Sequence, residues 1–184
     1  LAHLTGIPGS VGGMVAMNAG THLGEFKDCA IKVETVRIGE GKFAPVMHSL
    51  KPTDFSYRRN HFLNPHDLIT RAWVKYTPAD PQTVKAQIDE LYQRRKSTQP
   101  VDLPSCGSVF MNPRESGMHA WQVLDKLGLR GHRIGNAQIS EKHSNFIVNL
   151  GGAQAHDVRA LITLAKTRAK DELGIHLHEE VKIL

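Results

Sequence analysis

Hydrophobic and polar positions alternate along two stretches in the first half of the chain. "CAIKVETVRI" (29–38) and "DLITRAWVKY" (67–76) read as β-strands, and the second places Leu68, Ala72, Val74 and Tyr76 on one face. Between them "FSYRRNHFLNP" (55–65) reads as loop or short irregular turn. From Asp80 the period becomes that of a helix. Asp80 can cap it, Pro81 suits its first position, and Val84, Ile88 and Leu91 share a stripe. The pattern predicts that this helix runs to about Arg95. Two prolines in "STQPVDLP" (97–104) forbid its continuation, which puts a domain boundary near residue 97.

The second half reads as α/β alternation. "GMHAWQVLDKLGL" is a helix with Trp121, Leu124 and Leu127 inward and Gly128 at its end. "NFIVNL" (145–150) is a buried strand. "HDVRALITLAKTRAKDELG" (156–174) is a long amphipathic helix carrying Val158, Leu161, Ile162, Ala165 and Leu173 and closed by Gly174. "IHLHEEVKIL" is a terminal strand. Leu177, Val181 and Ile183 share one of its faces, with His178, Glu180 and Lys182 on the other.

Composition narrows the class. The 184 residues are 40% hydrophobic and 22% charged, ordinary for a soluble globular chain, and no apolar run reaches the ~20 residues a membrane span needs. There is no signal-like start and no initiating Met, so the chain is expected to begin inside a larger protein. Cys29 and Cys106 stand far apart, which favours a reducing cytoplasm over a disulfide framework. The net charge of +5 suits anionic partners. With 6% aromatic residues and no aromatic–basic interleaving, nucleic acid is the weaker choice among them.

The motifs, taken singly, stay open. In "GIPGSVGGMVAMNAG" (6–20), Gly6, Gly9, Gly12 and Gly13 remove side chains where a backbone can approach a ligand, and a pyrophosphate is the natural guest. It matches neither a Walker loop nor GxGxxG, and a purely structural turn is an equal reading. "SYRR" (56–59) offers Tyr57, Arg58 and Arg59, which alone read best as solvated. Ser108 and Asn112 in "LPSCGSVFMNP" alone read best as turn residues, with no nucleophile elbow around Ser108. Eleven histidines give no HExxH, and His176 with His178 makes too poor a ligand set, so no metal is expected.

Taken together, "GIPGSVGGMVAMNAG", "FSYRRNHF", "QPVDLPSCGSVFMNP", "GLRGHRIGNAQISEKHSNFIVN" and "EEVKIL" resemble, in order and end to end, the flavin-dependent UDP-N-acetylenolpyruvoylglucosamine reductases of peptidoglycan synthesis. Loop lengths are similar to the shorter subtype, which lacks an extra tyrosine-bearing loop. The resemblance implies an α+β chain. Residues 1–96 would be the second lobe of a non-Rossmann, antiparallel-rich FAD-binding fold of the vanillyl-alcohol-oxidase kind. Residues 97–184 would be a small α/β substrate-binding domain. The first FAD lobe would be missing, and weak or no FAD binding is expected.

The chemistry it implies is NADPH reduction of FAD, then hydride transfer from flavin N5 to C3 of UDP-N-acetylglucosamine enolpyruvate and proton transfer to C2. Ser108 matches the proton donor, and its site must stabilise the alkoxide or relay a proton to it. Arg58 and Glu180 match residues that polarise the substrate carboxylate and stabilise the enol, with Glu180 acting in its protonated form. Gly6, Ile7, Pro8, Gly9, Ser10, Gly12, Gly13 and Asn18 become the flavin cradle. Tyr57, Asn112, Arg130 and His143 fall at substrate-contact positions, Arg130 as diphosphate partner. The resemblance adds neither nucleic acid nor membrane. Met111 stands where the family commonly has Lys, and Glu179 where it has Pro. The alternative class is a nucleotide-sugar-binding module without turnover.

Overall fold

A computed structural model describes residues 1–7, 9–39 and 43–183. The chain divides into two compact units, Leu1–Gln93 and Arg94–Leu184. The first contains α1 (Val11–Ala16), β1 (Gly20–Thr21), β2 (Gly24–Glu25), β3 (Ala30–Arg37), β4 (Pro45–Ser49), β5 (Phe55–Ser56), β6 (Arg59–Asn60) and β7 (Asp67–Val74). The division between the units falls within α2 (Pro81–Thr98). The second holds β8 (Ser105–Ser108), α3 (Ala120–Lys126), β9 (Arg133–Ile134), β10 (Ala137–Ile139), β11 (Phe146–Asn149) and α4 (Ala155–Leu173). The whole is α+β, and every strand pairing among the described residues is antiparallel.

In the first unit β3 lies between β4 and β7, and α1 packs on β7. Val15, Phe26, Val33 and Phe55 form the core, with Ile69, Ala72 and Val74 against it. Tyr76, 76% exposed, lies beyond the end of β7, and within the strand the simple alternation does not survive: Leu68 is 54% exposed. The cause is a bulge. Thr35 faces Ile69 while Glu34 faces Arg71, so Thr70 is an extra residue and the inward face switches to Ile69. Ile31 is the corresponding extra residue of β3. The expected loop at 55–65 opens with a two-stranded hairpin, β5–β6, whose turn is Tyr57-Arg58.

Helix α2 begins as its sequence predicts. Asp80 Oδ2 accepts the Thr83 N–H at 2.8 Å and Pro81 is the first helical residue. Val84, Ile88 and Leu91 are half-buried. The helix runs to Thr98, one turn past Arg95, and stops two residues short of Pro100.

The second unit's sheet has the order β8-β11-β10-β9. The α/β alternation read from the sequence is therefore corrected to a wholly antiparallel sheet with helices. Its connections are too short for parallel crossovers: β9 and β10 are joined by Gly135-Asn136, and β10 and β11 by residues 140–145. The core comprises Val109, Phe110, the α3 stripe Ala120, Val123, Leu124 and Leu127, strand residues Ala137, Ile139 and Ile147, and α4 residues Leu161, Ile162, Ala165 and Ala169. Trp121, expected inward, is 39% exposed because the stripe at i, i+3, i+4, i+7 starts from Ala120 and passes beside it. The expected terminal strand shrinks to one bridge, Phe110–Glu179. Met111 N–H still reaches the His178 carbonyl at 2.9 Å, but Pro113 has no N–H where the ladder next needs a donor. Leu177 is buried, Val181 packs at the core's rim and Ile183 is exposed.

Candidate functional site

The glycine run turns into α1. Ser10 caps that helix, its Oγ accepting the Gly13 N–H at 3.1 Å. Gly6 (φ 74°) and Gly9 (φ 147°) take conformations other residues rarely adopt, and nothing lies within 4 Å of where a Gly9 Cβ would stand. Gly6, Gly9, Ser10 and Gly13 are exposed, whereas Ile7 and Gly12 are half-buried, Gly12 against Ile69. Bare main chain open to solvent fits a group that must approach closely, as a flavin pyrophosphate would. Pro8 lies outside the described residues.

Arg58 occupies the second position of its hairpin turn with φ 55°, a place usually given to glycine or asparagine. Its Nη2 donates to the Gly20 carbonyl at 2.9 Å, and Nη1 lies 3.8 Å from Glu25 Oε1. The guanidinium stands 4.8 Å from the centre of the Tyr57 ring. Glu25 also pairs with Lys27 Nζ at 2.8 Å and accepts from Asn18 Nδ2 at 3.0 Å. Asn18 is buried. Its Nδ2 donates a second bond to the Ser56 carbonyl at 3.1 Å, and its Oδ1 accepts the Lys27 N–H at 3.0 Å. The Asn18 side chain, expected in the flavin cradle, is thus spent on protein groups that hold the Tyr57-Arg58 turn. Gly20 permits this closeness: a Cβ there would stand 2.7 Å from the Gly24 carbonyl oxygen. Glu25, the centre of the network, was missed by the sequence reading, and nothing in its local pattern marks it.

In the second unit Ser108 ends β8 opposite Phe146. Between Ser105 and Ser108 the register slips against β11, and Gly107 takes φ 77° at the slip. Such a bulge re-aims the next side chain. Ser108 is half-buried, and among the described residues no hydrogen bond engages its hydroxyl. The Glu180 N–H donates to the carbonyl of Val109, the residue after Ser108, at 2.8 Å. Glu180 is half-buried too. Ser108 and Glu180, 72 positions apart in the chain, therefore sit on adjoining backbone segments. Glu179, beside Glu180, is tied back to Lys166 Nζ at 2.7 Å, and that bond holds its carboxyl below the usual range.

The remaining three residues divide. Asn112 Oδ1 accepts the Ala120 N–H at 3.0 Å, so it caps α3. Arg130 grips Asp125 with two bonds, Nε to Oδ1 at 3.0 Å and Nη2 to Oδ2 at 2.5 Å, while Nη1 reaches the Glu141 carbonyl at 2.5 Å. Three of its five N–H groups are engaged, leaving two. Burial opposes ionisation of Asp125, yet the Arg130 bonds outweigh it and hold its carboxyl low. His143 lies in the same loop as Glu141. Its Nδ1 accepts the Asn145 N–H at 3.3 Å, its ring meets Phe146 edge-on, and burial followed by Arg130 holds it below the usual histidine range. Asp125 was also missed; its signal was an acid and a base flanking Gly128.

Among the described residues no group of three or more His, Cys, Asp and Glu side chains stands ready for a metal ion, and no helix is long and apolar enough to cross a membrane. Cys106 is exposed on β8 and nothing in the structure explains it.

Residues 99–184 match the family model described as "UDP-N-acetylenolpyruvoylglucosamine reductase, C-terminal domain". The UDP-N-acetylenolpyruvoylglucosamine reductase of Thermotoga maritima is 43% identical over 178 residues, covering 97% of this chain and 61% of that protein. The Geobacter metallireducens protein of the same name is 42% identical over 184 residues, covering 100% of this chain and 59% of the relative. The crystal structure of UDP-N-acetylenolpyruvylglucosamine reductase from Thermus caldophilus superposes with a TM-score of 0.80 at 37% identity, over 99% of this chain and 63% of that one. The chain thus spans about three-fifths of the length of these relatives.

Proposed function

Because this chain belongs to the UDP-N-acetylenolpyruvoylglucosamine reductase family, we propose that it is part of an FAD-dependent, NADPH-driven reductase of the bacterial cytoplasm. Its substrate is UDP-N-acetylglucosamine enolpyruvate and its product UDP-N-acetylmuramate, a peptidoglycan precursor. On this reading residues 1–96 contribute to FAD binding and residues 97–184 hold the substrate. The observation that carries the reading is the unspent Ser108 hydroxyl, re-aimed by the Gly107 bulge and backbone-paired to the segment bearing Glu180.

When bound, FAD supplies the hydride that C3 of the enolpyruvyl ether receives. The main chain of Gly6, Ile7, Gly9, Ser10, Gly12 and Gly13 holds its pyrophosphate. Arg58 acts on the substrate carboxylate by charge. Its tether to Glu25 and the Gly20 carbonyl keeps the guanidinium placed without a search through rotamers. Ser108 donates the proton that C2 needs, and Glu180 stabilises the enol by hydrogen bonding. Arg130 offers its two remaining N–H groups, and His143 its Nε2–H, to the nucleotide diphosphate. Asn18, Asn112 and Tyr57 shape the ground on which these groups stand.

Two measurements on the purified protein test this. Flavin absorbance with NADPH-dependent turnover supports the reductase reading. Colourless protein that binds the UDP-sugar supports a nucleotide-sugar-binding module instead. In a whole reductase carrying these residues, Glu180→Ala is expected to slow product formation about 10²-fold while leaving flavin reduction by NADPH unchanged. Wild-type product formation in that variant removes Glu180 from the mechanism.

A further inference from the structure

We infer that Asn145 is the positioning residue that sets Ser108 and Glu180 against each other, an inference that rests on the reductase reading above. Asn145 is 5% exposed and Phe110 1%. The Asn145 carboxamide makes two bonds to one residue: its Oδ1 accepts the Phe110 N–H at 3.0 Å, and its Nδ2 donates to the Phe110 carbonyl at 2.9 Å. Its own carbonyl accepts the Val109 N–H at 2.9 Å. Paired bonds to both backbone groups of one residue are what an antiparallel strand supplies. Here β11 begins only at Phe146, and the Asn145 side chain stands in for the strand that ends there.

The opposite edge of the same segment receives the terminal chain. Val109 carbonyl accepts the Glu180 N–H at 2.8 Å and the Val181 N–H at 3.3 Å, and the Met111 N–H donates to the His178 carbonyl at 2.9 Å. Residues 109–111 are therefore clamped between Asn145 and residues 178–181. Ser108 leads directly into the clamp and Glu180 docks on it. No other side chain meets both needs of Phe110 at this reach. Aspartate lacks the donor, glutamine adds a methylene, and alanine leaves a buried N–H and C=O without partners.

The test uses a whole reductase carrying these residues, with each half-reaction followed separately. Asn145→Ala is expected to leave flavin reduction by NADPH within about twofold of wild type. Product formation should fall about 10²-fold, the scale of a 1 Å misplacement, with little change in KM. Asn145→Asp keeps the volume and the acceptor but loses the donor. It is the second variant, read in place of alanine if that one fails to fold, and is expected to show the same one-sided loss. Equal losses in both half-reactions, or wild-type product formation in either variant, overturn the inference. Ser108→Ala is run beside them. If it loses product formation while the Asn145 variants keep theirs, only the placement argument fails. If Ser108→Ala itself keeps wild-type product formation, the reading of Ser108 falls and the inference with it.

Discussion

Arg58 and Ser108 are held in opposite ways. Arg58 is held through its own side chain: the guanidinium meets Glu25, the Tyr57 ring and the Gly20 carbonyl, and the buried Asn18 ties its turn to Lys27 and Ser56. Ser108 is placed through its chain neighbours: a glycine bulge in β8, a sheet packed on the α3 and α4 core, the Asn145 carboxamide on Phe110, and the terminal segment bound to Val109. In the first case the candidate side chain is itself part of the network. In the second, among the described residues, the hydroxyl takes no part in the bonds that position it. A residue of the first kind cannot be changed without disturbing its neighbours, whereas one of the second kind can.

That difference can be broken or sharpened by substitution. The largest effect is expected at Ser108, where Ser108→Ala should lower turnover of a whole reductase about 10³-fold. Its thermal unfolding should match wild type, because among the described residues no hydrogen bond uses the hydroxyl. A comparable drop in melting temperature would put Ser108 in the same class as Arg58. Next comes Asn18→Ala. It removes the bonds of a buried side chain to Glu25, to the Ser56 carbonyl and to the Lys27 N–H, and should destabilise the first unit by about 1–3 kcal/mol in denaturant titration. An unchanged midpoint would mean that the Arg58 turn holds without it.

The smallest effect is the pH response of His143. Its folded pKa lies below the unfolded value, so the unfolded chain binds the proton more readily and stability is lost as pH falls below the ordinary histidine range. Unfolding followed between pH 7 and 5 should show this loss, and His143→Phe should flatten it. An identical slope in the variant would assign the response to another group.

Much of the fold was legible because periodicity reports burial. Strand β3, helices α2 and α4, and the capping by Asp80 and Gly174 follow from patterns a few residues long. What escaped was set at longer range. The bulges at Ile31 and Thr70 reverse the inward face without leaving a mark in the hydrophobic order. Trp121 is apolar, yet it misses the stripe set by Ala120. The terminal strand was read from alternation alone, although its pairing depends on a proline in another segment. The site was less legible than the fold. Ser108 and Glu180 carried no isolated signal, and only several family motifs in order drew attention to them. Asn145 and Glu25 remained hidden, since each acts on partners chosen by the folded backbone rather than by sequence spacing.

Among the described residues the Ser108 hydroxyl is engaged by no hydrogen bond, as the proton-delivering role proposed for it requires. Single-turnover kinetics of Ser108→Ala in a whole reductase carrying these residues test that role most directly. The prediction is flavin reduction by NADPH at the wild-type rate, with formation of UDP-N-acetylmuramate from the reduced enzyme slowed about 10³-fold. Product formation at the wild-type rate, or an equal slowing of both steps, would contradict it.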